Sequence, residues 1–277
     1  MYWQKDNNHK GNQILKSLNA GSSPLALWGV LLTLLYSAET FADQPVYVAI
    51  IIDDIGYNIN RGIRAINLPG SLTYAVLPNS PYAELLSENA HQSKKEVIVH
   101  LPMSNLIGHP LGPGGLTESL SENEFLAAVA AAIKKVPHAS GLNNHTGSYL
   151  TQQIQQMNWL MEDIKRRNFF FVDSRTTPKS VAHKVARRKQ ILTSGRDVFL
   201  DNDPSFFEID RAFHRLIQIA RRNGTAIGIG HPYRNTLDYL EIALPQLQQQ
   251  GIEVIPASNL LALQQIRRVE LATLAAE

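Results

Sequence analysis

Apolar residues along the chain fall into short unbroken runs, each stopped by a small, polar or charged residue, and the runs are separated by stretches with helical spacing. The clearest run, Val46 to Ile52, is apolar on both faces and predicts a central strand of a parallel sheet. It ends in Asp53, Asp54, Ile55 and Gly56. Further strands are predicted at 71–77 and 96–100, at 139–142 more weakly, and at 169–172, 198–200, 226–230 and 252–255. Between them, 82–90 reads as a short helix and 108–115 as a Gly/Pro loop. Ser121 and Glu124 spell a capping box for a helix whose stripe is Phe125, Val129, Ile133 and Val136. Ile154, Met157, Met161 and Ile164 form another apolar face. Asp203 is expected to cap a helix opened by Pro204, and the helix over 237–247 to break at Pro245.

About eight strands with a helix after most of them predict one α/β domain, a closed or nearly closed (β/α) barrel, with a doubly wound sheet as the alternative. In both architectures the chemistry gathers at the carboxyl ends of the strands. Polar residues recur there: Asp53 and Asp54, His100, the 143–148 stretch with Asn143, Asn144 and His145, Asp173 with Arg175, Asp201, and His231 with Tyr233. Each has a plain structural alternative, since a single Asp caps or turns and a single His is more often a hydrogen-bonded structural residue. Asp201 is read as a turn residue on those grounds. Three of only nine histidines and an Asp pair, all directly after strands sharing one mouth, tilt the reading toward a His/His/Asp site for a catalytic divalent ion.

Composition narrows the chemistry. The chain has 277 residues, 44% hydrophobic, enough for one large core and no sign of disorder. A net charge of +2 argues against nucleic acid; the basic runs at 165–167 and 221–222 are expected at helix ends, and that at 187–189 on the solvated surface. Cysteine is absent, which removes thiol nucleophiles, disulfides and Cys-type zinc sites. No Gly-x-Ser-x-Gly elbow is present. Metal-assisted hydrolysis of an amide or ester is the reaction class left standing. A metallophosphatase, using Arg175 and Arg234, ranks below it for want of a Gly-rich phosphate cradle. Tyr57, Tyr149 and Tyr233 follow strand ends and could stack on sugars or merely pack the rim.

The first 42 residues read separately. Lys5, Lys10 and Lys16 precede the apolar run Leu25 to Ala38 and the small-residue site at 40–42. Residues 1–42 are therefore expected to be a signal peptide, or an uncleaved membrane anchor, ahead of a domain over 43–277. A periplasmic or secreted protein is expected, touching the membrane only through an uncleaved N-terminal segment.

Ile51-Ile-Asp-Asp-Ile-Gly56, Val99-His-Leu-Pro-Met103, Gly141-Leu-Asn-Asn-His-Thr-Gly-Ser148 and Ile227-Gly-Ile-Gly-His-Pro-Tyr233 together resemble the divergent polysaccharide deacetylase family, a branch of the NodB-homology carbohydrate esterases. The resemblance spans about Val46 to Leu261. It implies a distorted (β/α) barrel of seven or eight strands and a divalent ion, Zn²⁺ foremost. By position it implies Asp53 as catalytic base, His231 as general acid and Asp54 and His100 as metal ligands. The superfamily's second metal histidine, four residues after the first, is replaced here by Ser104, and His145 is expected to stand in for it. Asn144, Asp173, Arg175 and Tyr233 are expected to bind substrate, a polysaccharide or peptidoglycan-type glycan. The activity implied is removal of acetyl groups, and the alternative is a catalytically weak glycan-binding or envelope-assembly factor on the same fold.

Overall fold

The computed structural model describes residues 45–275, and the signal or anchor expected over 1–42 lies outside them. Pro45 to Glu277 form one unit by themselves. Among the described residues no helix is long and apolar enough to cross a membrane.

Among the described residues, nine parallel strands make a single curled sheet. They are β1 (Val46–Ile55), β2 (Thr73–Val76), β3 (Glu96–Met103), β4 (Ala139–Thr146), β5 (Phe170–Asp173), β6 (Thr193–Gly195), β7 (Val198–Phe199), β8 (Thr225–Gly230) and β9 (Ile252–Val254). The order is β6-β5-β4-β3-β2-β1-β8-β7, with β9 paired to the start of β1. No ladder joins β6 to β7, so the barrel expected from the sequence is distorted and open at that seam. The helices are α1 (Ile59–Ile66), α2 (Ala83–Gln92), α3 (Glu122–Lys134), α4 (Ile154–Arg166), α5 (Ala182–Arg188), α6 (Phe206–Asn223), α7 (Arg234–Gln249) and α8 (Ala257–Leu274).

Alternation along β1 explains the two cores. Val48, Ile50 and Ile52 join the large cluster that the helices cover, while Ala49 and Ile51 point the other way. That second cluster is closed by Ile98, Val172, Ile227 and Ile229 from the other strands and by Ala257, Leu260 and Leu261 from the start of α8. Asp53 shares the parity of Ala49 and Ile51, which aims it along the inside of the curl toward the mouth.

The capping box at Ser121 and Glu124 is present, and basic residues close α4 and α6 as expected; Arg187 and Arg188, read as solvated surface, close α5 in the same way. Three expectations fail. Ser205, not Asp203, caps α6, and Asp203 instead accepts from the Ser205 N–H at 2.9 Å. Pro245 sits inside α7 without ending it, held by the burial of Leu244 and Leu247 on either side. β4 runs through Asn143 and Asn144 to Thr146 rather than stopping at Leu142, because its polar residues find partners inside the molecule.

Gly56 turns the chain out of β1 at φ +134, and a Cβ there would overlap the Ser80 hydroxyl. Gly56→Ala should therefore cost about 2–4 kcal/mol from strain and overpacking together, read as a lowered midpoint in urea unfolding at unchanged slope.

Candidate active site

The carboxyl ends of β1, β3, β4 and β8 converge, and the sequence of each explains what it delivers. At the end of β1 the register with β2 slips between Ile52 and Ile55, and Asp54 takes φ +56. Successive strand residues normally face opposite ways, so this bulge is what brings two adjacent carboxylates to one mouth.

Asp54 Oδ1 lies 3.2 Å from His100 Nε2 and 3.0 Å from His145 Nδ1, and the two ring nitrogens are 3.1 Å apart. Donor atoms sharing one ion at bonds of about 2.0–2.2 Å stand roughly 2.9–3.6 Å from one another. The triangle thus has the size of one face of a coordination shell. Asp54 Oδ1 is buried and neither imidazole is aligned to satisfy it with a hydrogen bond. A lone-pair oxygen facing two ring nitrogens, with no donor for it, fits a cation. Burial would raise the Asp54 pKa, but His100 and His145 hold it well below the usual carboxylate range.

The layer behind the triangle fixes one histidine. His100 and Asn143 are cross-strand partners in the β3/β4 register. Asn143 donates through Nδ2 to Asp53 Oδ1 at 2.8 Å, so its Oδ1 is left to accept from His100 Nδ1 at 2.7 Å. His100 must then carry its proton on Nδ1, and its Nε2 lone pair is presented to the triangle. Asn143→Leu removes this control, and divalent-ion affinity should fall about 10- to 100-fold in a chelator competition titration.

Asp53 is almost wholly buried, which raises its carboxyl pKa against the lowering pull of His100 and His231. Across the mouth, His231 is held twice by Asp201. The His231 N–H donates to Asp201 Oδ2 at 2.6 Å, and His231 Nδ1 meets Asp201 Oδ1 at 2.9 Å. Thr236 donates to the same carboxylate at 2.8 Å. Asp201 is therefore no turn residue: it is buried, and it orients the imidazole so that Nε2 carries the second position. Burial works to lower the His231 pKa, but Asp201 with Asp53 and Asp54 beyond it raises the value to about 9. A histidine 30 residues downstream is what reveals the role, and no local signal around Asp201 points to it.

The residues expected to bind substrate are dispersed. Asn144 is buried, giving Nδ2 to Thr146 O and taking the Ser174 N–H, so it shapes the turn after β4. Asp173 is likewise buried and accepts from the Arg175 N–H, the Ser180 hydroxyl and the His183 N–H. Arg175 is exposed at φ +48. Tyr233 stacks on His231 at 5.3 Å and 25° and keeps 40% of its surface open. Hollows of about 330 Å³ and 190 Å³ flank Tyr57, the first reaching His145 and the second Asp54 and Tyr233. Tyr149 lines neither. Arg234 is exposed and leans toward Asp238, away from a phosphate role. A further hollow of about 500 Å³ lies by Pro45, Pro69 and Pro245 at the opposite ends of the strands, away from the Asp/His/His triangle.

A curled parallel sheet with an Asp-Asp strand end and an Asp/His/His cluster at its mouth defines an α/β fold with a candidate metal site. Residues 50–261 match the model of the divergent polysaccharide deacetylases, and the chain belongs to that family. An uncharacterized protein of Haemophilus influenzae is 34% identical over 231 residues, 83% of this chain and 81% of the relative. Among solved structures, the uncharacterized protein ATU2773 of Agrobacterium tumefaciens superposes with a TM-score of 0.75 at 22% identity, over 79% of this chain and 90% of the other. Peptidoglycan deacetylase PdaC of Bacillus subtilis shares the fold at a TM-score of 0.50 and 17% identity, over 83% and 98% of the two chains.

Proposed function

We propose that this protein is a metal-dependent hydrolase that removes acetyl groups, held as amide or ester, from an envelope or extracellular glycan. The observation that carries the reading is the triangle of Asp54, His100 and His145 with Asp53 on one side and His231 on the other. A divalent ion held by the triangle, Zn²⁺ foremost for this donor set, would supply Lewis acidity toward the acyl carbonyl. Asp53 is the base: Asn143 holds its Oδ1, leaving Oδ2 to take the proton of the attacking water. His231 is the acid, delivering a proton from Nε2 to the departing nitrogen or oxygen. A group raised to about 9 is charged at neutral pH, as that task requires. The hollows beside Tyr57 and the open face of Tyr233 offer aromatic walls for sugar rings.

The glycan is of polysaccharide or peptidoglycan type in this reading, supported by the family and by the peptidoglycan deacetylase of like fold. Residues 1–42, as signal or anchor, would carry the domain to the periplasm or beyond it, where such glycans are found.

The test is divalent-ion content of the purified protein together with acetate release from a panel of acetylated glycans. Near-stoichiometric ion is expected, with acetate release abolished by chelation and restored by readdition. A protein that retains no ion even after soaking overturns the reading. Ion retained with no acetate from any glycan points instead to a glycan-binding or envelope-assembly factor on the same fold.

A further inference from the structure

Beyond His231 the rim carries charge that this chemistry does not use. The Phe199 ring stacks on His231 at 5.8 Å and 16°, and the Arg196 guanidinium sits 3.8 Å from the centre of that same ring. Arg196 donates to Ser174 O at 2.8 Å and Arg175 O at 3.0 Å, while Arg175 donates back to Arg196 O at 3.3 Å. The loops after β5 and β6 are thus clasped to each other, and two guanidinium groups are held side by side next to the mouth.

Neither is paired with a carboxylate at contact distance. The arginine–carboxylate pairs of the described residues engage Arg64, Arg166, Arg167, Arg211 and Arg234, and neither Arg175 nor Arg196. Asp173 and Asp197 offset part of the charge from a distance, but the Asp173 oxygens make their contacts with the Arg175 N–H, Ser180 and His183. Asp197 is turned to the Ile227 N–H at 2.8 Å. Burial, and then the neighbouring Arg175, push the Arg196 guanidinium down to about 10, still charged at neutral pH. Half-buried Arg196 and exposed Arg175 repel each other, and an anion placed against both would relieve that repulsion.

The backbone is shaped for the arrangement. Arg175 adopts φ +48, uncommon outside glycine. Opposite it, Gly195 has no side chain, and a Cβ there would fall 2.5 Å from Arg175 Cζ. The guanidinium lies against bare backbone. Its Nε and second Nη, like the second Nη of Arg196, are left for a planar or tetrahedral oxyanion.

We propose that Arg175 and Arg196 form a subsite for an oxyanion carried by the glycan, a sugar carboxylate or a sugar phosphate, beside the unit whose acetyl group reaches Asp53. The substrate class is then an acidic glycan. This deepens the hydrolase reading and rests on it for the presence of a glycan.

The test is calorimetric titration of the full chain carrying Asp53→Asn, which prevents turnover, with three probes of equal length. They are the neutral N-acetylglucosamine tetramer, an N-acetylglucosamine–N-acetylmuramic acid tetramer bearing carboxylates, and an N-acetylglucosamine tetramer bearing 6-phosphates. One anionic probe should bind about tenfold tighter than the neutral one, which identifies the source of the oxyanion, and added salt should shrink the ratio. The ratio should collapse toward one in Arg196→Gln and in Gly195→Ala. The second variant keeps both charges and displaces only the flexible end of Arg175, so it serves even where the first does not fold. Equal affinity for all three probes, no binding of any, or a preference that survives both variants overturns the subsite. Acetate release is scored separately on the chain with Asp53 intact. Release from the neutral tetramer without an anionic preference removes the subsite and leaves the hydrolase. A charge preference lost in both variants, with no acetate released from any glycan, removes the hydrolase and leaves the subsite.

Discussion

Asp54→Asn is expected to strip the protein of its divalent ion and to lower acetate release about 10³-fold or more, with His100→Ala and His145→Ala close behind. Asp54 supplies the one negative charge of the triangle, so its loss weakens attraction for a cation as well as removing a donor. The same variants separate metal loss from misfolding. Even without an ion, His100 and His145 attract the Asp54 carboxylate and hold its pKa well below the usual range, so its charge contributes stability of its own at neutral pH. Each variant is therefore compared with and without chelator against itself, since Asp54→Asn also loses this attraction. Wild type with ion at a hundred times its dissociation constant gains about 2.7 kcal/mol, or roughly 5–10 °C for a domain of this size. Scanning calorimetry with and without chelator reads this difference: a chelator shift in wild type that vanishes in all three variants is the expected result. A shift that persists in any one of them would show that its side chain is not a ligand.

The fold was legible in the sequence where binary patterning and local chemistry agree. Val46 to Ile52 could only be a doubly buried strand, and the Ser121/Glu124 box and the basic helix ends marked boundaries that the structure keeps. The pattern failed where polar residues are interior for a reason that lies elsewhere in the chain. Asn143 and Asn144 are wholly buried within β4, one bonded to Asp53 and His100 and the other to Ser174. Polarity alone argued against a strand there, and only the register with β3 supplies the partners. Asp201 was misread for the same reason, because a carboxylate after a short strand looks like a turn until His231 is placed against it. Conversely, the expectation that Asn144 and Asp173 reach substrate came from their position after strands. Both turn out to spend their oxygens and donors on the loops that hold Ser174 and Arg175 in place. Strand ends concentrate polar residues, but which of them face the mouth is decided by strand parity and by bulges such as the one at Asp54.

That pairing of Asp201 with His231 yields the second large effect. With the imidazole as general acid, its protonated form is the working one, and activity should fall on the alkaline side as the imidazolium that Asp201 stabilises loses its proton. A divalent cation in the triangle moves this alkaline limb downward, because it repels the imidazolium. The stability linkage has the same sign. The folded value lies above the ordinary one near 6.5, so the ion pair's contribution is fully present below about 6.5 and is lost as pH climbs through about 9. Asp201→Asn withdraws the charge that opposed burial and, with its single oxygen held by the His231 N–H and Thr236, turns its amide NH2 toward Nδ1, so the imidazole titrates lower than in wild type. At neutral pH most of the acid form is gone, and kcat/KM should drop about 10²- to 10³-fold. The pH profile is the deciding measurement. An alkaline limb displaced by two units or more, with activity partly recovered toward acid pH, follows from the acid role of His231. A uniform loss at every pH would mean that Asp201 only holds the strand ends together and that the proton comes from another group.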